Sequence, residues 1–363
     1  MYRPPDFAEP SLASAPDCRF ERAPKDTTLP DGFLSTTNHP MYVKVNGRWR
    51  MPERPRMDSH VLWNPATDRV ETKEFRLVKA GDLVAVATAE DGSEGVLVWD
   101  RGFVDLVDET EEPEPFAFMA SEVSREKPVN YEAIFRDFVA NRGEKGFILW
   151  VIGPALVHAR GRIAMEWMIR NGFCHGVITG NAVGVHDVEA ALFGTTLGMR
   201  ADGSGEAKGH ASHMRAINEV KKAGSIQALV DSGRLAAGIM HALTVTKTPY
   251  VLGGSIRDDG PLPETIVSAT DTQAAMRELT VKATMVVMVA TALHAIAAGN
   301  MLPTFCTRKD GSLAEITTIC VDQTEFVVGK LKDRGTHQAF GVVTNAQDFM
   351  RLLELELRSR AKE

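Results

Sequence analysis

The apolar positions of this 363-residue chain change rhythm near residue 127. Between about 34 and 117 they fall in short stretches, 41–49, 61–63, 75–78, 83–86 and 95–99, with a Val45-Asn46-Gly47 turn signal inside the first. A period of two puts every second side chain on one face, and Asn-Gly supplies the positive φ angles of a hairpin, so these stretches predict strands. A small β-barrel or sandwich over 29–126 follows. Residues 1–28 carry several prolines and aspartates without periodicity and predict an extended arm. The acidic run 105–114 reads as a solvated connector.

From 127 to 363 the pattern becomes apolar runs alternating with helical periodicity. Runs at 147–152, 177–179, 250–252, 285–289, 317–321 and 340–344 predict buried strands. Helices are expected from the Gly153-Pro154-Ala155 turn to 171, and over 210–223, 272–282, 324–333 and 346–358. The fold class is therefore α/β, a mostly parallel sheet covered by helices and preceded by a small β domain. The stretch 178–194, ITGNAVGVHDVEAALFG, joins a strand to a helix through Gly180-Asn181-Ala182. Such a junction turns unpaired helix N–H groups toward the carboxyl edge of the sheet, where phosphate or carboxylate binds. The plain alternative is a capped helix whose His186, Asp187 and Glu189 form a charged outer face.

Composition narrows the partners. A formal charge of -7 argues against a nucleic-acid or anionic-membrane surface and favours small-molecule chemistry. No apolar run reaches the length of a bilayer span, and no secretory leader pattern opens the sequence, so a cytoplasmic protein is expected. Cys18, Cys174, Cys306 and Cys320 are scattered and predict buried thiols rather than disulfides or a zinc cage. His210 and His213 are three apart but lack a third ligand, so no metal is assigned.

In open parallel sheets ligands sit outside the carboxyl ends of the strands, which directs attention to the residues after each one. These are Gly153-Pro154-Ala155 with His158, Gly180-Asn181-Ala182, the loop 254–260 with Arg257, Asp258 and Asp259, Ala290-Thr291 with His294, and Asp322. Gly203-Ser204-Gly205 follows no strand and reads as a turn. Asp322 suits either a ribose diol or a helix cap, and His294 either a ligand or a packed core. Arg257 has the fork that grips a carboxylate, and the two adjacent acids suit an ammonium.

Taken together, the segments LPDGFLSTTNHP (29–40), FMASEVSREKP (118–128), GPALVH (153–158), GNAVGVHDVEAALFGTTLG (180–198), VLGGSIRDDGPLPE (251–264), MVVMVATALHAIAAGNMLP (285–303) and CVDQTEFVVGKLKDRG (320–335) resemble the archaeal-type ornithine cyclodeaminases. That family carries the LOR/SDH conserved domain and includes the C-terminal part of cyanobacterial arginine-guanidine-removing enzymes. The resemblance runs from about Leu29 to Leu353. It implies a Rossmann-like domain over 127–363 that holds NAD, and conversion of ornithine to proline and ammonia. Cofactor contacts implied are Gly153, Pro154, Ala155, Gly180, Asn181, Ala182, Thr291 and Asp322; substrate-side groups are Asn38, Glu122, Asp258 and Asp259. Departures from the family pattern are Ser59 where cysteine is expected, a longer charged connector over 304–316, and only the short arm ahead of Leu29 where a further α/β segment is usual.

On that basis oxidation at Cα gives an imine, the δ-amine attacks it, ammonia leaves and the cyclic imine is reduced. Asp258 or Asp259 would take the δ-ammonium proton, His186 or His294 would relay protons, and Arg257 would clamp the α-carboxylate. Two other readings stay open: NAD-dependent lyase or hydration chemistry on another small amino-acid-derived or heterocyclic substrate, and a silent NAD-binding regulator. A homo-oligomer is expected of such an enzyme.

Overall fold

A computed structural model describes residues 2–103, 129–143, 146–200, 202–258, 260–308, 311–332 and 339–361. The chain divides into two units: residues 1–128 with 300–316, and residues 129–299 with 317–363. The acidic run, Glu122 and Asp259 lie outside the described residues.

In the first unit the hairpin expected at Asn46-Gly47 forms, with both residues at positive φ, 53° and 72°. It joins Met41–Val45 to Arg48–Arg50, and Val96–Val98 completes an antiparallel sheet of three. A second antiparallel sheet runs in the order Arg19–Arg22, Leu83–Val86, His60–Asn64, Arg69–Lys73. Val43, Val45 and Val96 from the first share one core with Val61, Val70 and Ala85 from the second, which makes a small sandwich. Segment 304–316, read from sequence as a connector, supplies the hairpin Phe305–Thr307 with Leu313–Glu315.

Two expectations fail here. Residues 75–78 are not a strand: Phe75–Leu77 forms a single 3-10 turn with both apolar side chains exposed, beside a Glu74 held by Arg56 and Arg76. Nor are residues 2–28 only an extended or disordered arm. Arg19–Arg22 pairs with Leu83–Val86, and the Lys44 ammonium, buried at 7% exposure, donates to the carbonyls of Leu12, Ala13 and Ala15 at 3.3, 2.8 and 2.7 Å. A buried cation needs such acceptors, and two of them are the last carbonyls of the short helix Pro10–Ala13, which no helix N–H takes.

The second unit is built on a seven-stranded sheet of β1 (Ile148–Ile152), β2 (Gly176–Gly180), β3 (Tyr250–Gly253), β4 (Thr265–Ile266), β5 (Met285–Val289), β6 (Thr317–Asp322) and β7 (Ala339–Val343). All neighbours are parallel, in the order β4-β3-β2-β1-β5-β6-β7. β1 and β5 are buried at every position, as apolar runs covered on both faces require. The helices are α1 (Tyr131–Ala140), α2 (Pro154–His158), α3 (Arg162–Arg170), α4 (Asn181–Phe193), α5 (Ser212–Ala223), α6 (Ile226–Asp231), α7 (Ile239–Thr246), α8 (Ala269–Thr280), α9 (Leu293–Met301), α10 (Glu325–Lys332) and α11 (Ala346–Arg360). The helix expected to run unbroken to 171 is split into α2 and α3 where Arg160 adopts φ 63° ahead of Gly161. Among the described residues no helix is long and apolar enough to cross a membrane.

Candidate active site

Setting aside the two-residue β4, the sheet runs third, second, first, fourth, fifth, sixth in chain order. The order reverses between β1 and β5, so their following helices leave on opposite faces and a crevice opens outside their carboxyl ends. Gly153 lies there. Its N–H donates to Val289 O at 2.9 Å, and a Cβ on it would stand 2.7 Å from the Ala290 carbonyl carbon and 3.0 Å from Thr291 Cβ. Ala290 turns the β5 chain at φ 56°, a left-handed conformation that costs a side-chain-bearing residue about 1 kcal/mol. Only glycine at 153 lets the two backbones come this close.

Pro154 and Ala155 open α2 and are exposed. Gly180 ends β2 and precedes α4, and no side chain caps that helix. The contrast is with α1, α6, α8 and α11, whose first turns are capped by Asn130, Ser225, Ser268 and Asn345. The N-terminus of α4 thus keeps its N–H groups and positive dipole for an anion, which fits the pyrophosphate of NAD. Asp322 ends β6 half-exposed, and its Oδ1 accepts from Thr324 N and Oγ1 at 3.1 and 3.2 Å, both at one oxygen.

His294 on α9 lies over this edge. A Cβ on Gly180 would be 3.1 Å from its Cε1, and one on Gly253 would be 3.1 Å from its Nε2 and 2.9 Å from Thr272 Cγ2. Burial pushes the imidazole below the ordinary histidine range, and the Asp258 carboxylate pulls it partly back. Asp258 is itself fixed by a tight turn: its Oδ2 accepts from Ser255 N at 2.7 Å, and its N–H donates to Ser255 O at 3.0 Å. An imidazole kept neutral by burial, within the field of a held carboxylate, can serve as a proton acceptor. Arg257 is exposed on the same turn, its N–H donating to Ser255 Oγ at 3.2 Å. Sequence reasoning passed over Thr272, which sits in an ordinary helical pattern.

Other candidates stand elsewhere. Asn181 is buried, and its Oδ1 takes Leu262 N and Thr265 Oγ1, both at 3.0 Å, so it ties the 262–265 segment to α4; Ala182 beside it is half-buried. Asn38 belongs to the first unit, where its carbonyl accepts from Thr304 N and Oγ1 at 2.9 and 2.7 Å. His186 packs against His158, ring centroids 4.6 Å apart, and its Nδ1 is 3.3 Å from Glu189 Oε2. Its partners are not those of His294.

The charged outer face, the plain alternative for α4, does not form, because its acids point inward. Asp187, fully buried, pairs with Arg162 Nε at 2.6 Å and accepts from Ile239 N and Met240 N at 3.0 and 2.8 Å, capping α7 from another helix. Glu189 accepts from Thr195 Oγ1, Leu197 N and Gly198 N at 2.9, 3.0 and 2.9 Å. Burial raises its carboxyl, but the bond with His186 and these three outweigh it and hold it below the usual range.

The strand order and uncapped glycine junctions define a dinucleotide-binding α/β enzyme. The chain belongs to the family described as arginine dihydrolase ArgZ-like, C-terminal, its Rossmann-fold part matching residues 132–353 and its first region residues 40–132. The ornithine cyclodeaminase of Methanopyrus kandleri is 41% identical over 349 residues, 94% of this chain and 79% of that protein. The crystal structure of a conserved putative LOR/SDH protein from Methanococcus maripaludis S2 superposes with a TM-score of 0.82 at 38% identity, over 96% of this chain and 98% of that one. The ternary complex of AgrE with ornithine and NAD+ superposes at 0.60 and 30% identity, over 96% of this chain and 47% of that one. The resemblance read from sequence is thereby borne out.

Proposed function

We infer that this chain is an ornithine cyclodeaminase that converts L-ornithine to L-proline and ammonia with NAD as a recycled cofactor. The observation that carries the reading is His294 set against Gly180 and Gly253 within the influence of Asp258, at the carboxyl edge of the sheet in a chain 41% identical to an ornithine cyclodeaminase. Gly153, Pro154, Ala155, Gly180, Ala182, Thr291 and Asp322 would hold NAD, with Asn181 shaping the pocket from behind. Bound NAD supplies a two-electron acceptor at Cα of ornithine and returns the same two electrons to the cyclic imine, so no net oxidation results. Neutral His294 accepts the proton that unmasks the reacting amine, and Asp258 steadies the resulting imidazolium. Arg257 pairs with the substrate carboxylate. Asp259, Asn38 and Glu122 are the further substrate-side candidates, and His186 is the second candidate for proton relay. The reading includes a cytoplasmic homo-oligomer, the second part of which light scattering on the purified protein checks.

Incubation with ornithine and NAD is expected to yield proline and ammonia in equal amounts with no lasting rise in absorbance at the NADH band. Ammonia without proline would move the assignment to another lyase reaction. Asp322→Ala is expected to weaken NAD about tenfold, the worth of one charge-assisted hydrogen bond. Calorimetric titration reads this directly, and an unaltered affinity would confine Asp322 to its turn.

A further inference from the structure

A half-open recess of about 270 Å³ lies between the turn joining α2 to α3 and the C-terminal helix α11. That is room for about nine waters. Ala164 and the 68%-exposed Ile163, from the first turn of α3, give it an apolar side. Arg351 and Glu354 face it from α11, and Arg160 lines it from the turn.

Its charge is not balanced internally. Glu354, 3% exposed, is already paired with Arg351 at 3.2 Å and with Arg358 at 2.7 Å. One carboxylate thus meets two guanidiniums before Arg160 is counted. The Arg160 side chain has no hydrogen-bond or ion-pair partner among the described residues, and its backbone is held at φ 63°. Holding a residue there costs on the order of 1 kcal/mol, and such positions gather at ligand sites. The tight seat is made by Gly161, where a Cβ would come within 3.2 Å of Leu156 Cγ and 3.3 Å of Met350 Cγ. No side chain caps the N-terminus of α3 at Gly161, so its dipole adds to the positive field on the same cavity. A cationic recess in a chain of net charge -7 is set apart from its surroundings.

We propose that this cavity is a second ligand site, for a small anion with a short apolar body, its carboxylate or phosphate held by Arg160 and Arg351 and its body against Ile163 and Ala164. None of its lining residues is among those assigned above to ornithine or NAD, and the proposal does not depend on how those are assigned.

The test uses the full chain saturated with NAD, so that phosphate-binding groups at the carboxyl edge are occupied. Inorganic phosphate and succinate are titrated separately, each against chloride at matched ionic strength, and the thermal midpoint is followed. A saturable rise of a few degrees is expected from one of them, as ligand binding at 10² times its dissociation constant stabilises by about 2.7 kcal/mol. Phosphate acting alone identifies a phosphoryl ligand, and succinate acting alone a carboxylate. Arg160→Gln should abolish the rise, and Arg351→Gln should weaken it at least tenfold, while proline formation and the anion-free midpoint of Arg160→Gln stay at the parent values. No saturable rise from either anion, or an equal rise in Arg160→Gln, overturns the proposal.

Discussion

Gly153→Ala is expected to lose at least about 3 kcal/mol of folding stability and most of its NAD affinity in one step. The added methyl would stand 2.7 Å from the Ala290 carbonyl carbon and 3.0 Å from Thr291 Cβ, so the backbone of β1 or β5 must move. Neither yields easily. Both strands are buried at every position, and Gly153 N–H is tied to Val289 O at 2.9 Å. The strain falls where the strand order reverses, so NAD affinity measured by calorimetric titration should fall with the urea midpoint. Gly205→Ala is the control: nothing lies within 4 Å of its Cβ position and its φ is not positive, so a change within about 0.5 kcal/mol is expected. A wild-type midpoint for Gly153→Ala would show that the two strand ends are not pressed together.

Asp258→Asn should lower kcat by roughly 10²- to 10⁴-fold, the range for a lost proton-transfer partner, with stability within about 0.5 kcal/mol of the parent. Asparagine keeps an oxygen for Ser255 N, so the turn survives while the charge is removed. The pH profile gives a second readout. Burial depresses the His294 imidazole and Asp258 opposes that depression, so deleting the charge depresses it further. Imidazole works as a base only above its own pKa, and the acid limb of the residual activity should therefore move to lower pH. An acid limb that stays in place, or a loss of stability matching the loss of turnover, would return Asp258 to the role of turn residue.

The parallel strands were legible because a buried strand must be apolar throughout, and the junctions because Gly153, Gly180 and Gly253 stand where a strand gives way to a turn or helix. Arg69–Lys73 was missed as a strand since only Val70 of its five residues is buried. The break at Arg160 carried one signal, Gly161, inside an otherwise helical pattern. The inward turn of Asp187 and Glu189 could not be read at all. Four of their partners, at Ile239, Met240, Leu197 and Gly198, are backbone N–H groups that no residue type announces, and the Arg162 that pairs with Asp187 lies on another helix. In the same way the loop 254–260 announced its charges, but the link between Asp258 and His294 spans 36 positions and depends on the sheet that gathers them.

The anchoring of Lys44 has a practical consequence. Because its ammonium is solvated by carbonyls of Leu12, Ala13 and Ala15 rather than by water, cutting the polypeptide after residue 15 would strand a cation inside the sandwich. Trimmed versions prepared to simplify crystallisation would then aggregate on purification, whereas replacing Lys44 with methionine in the same trimmed version should restore solubility.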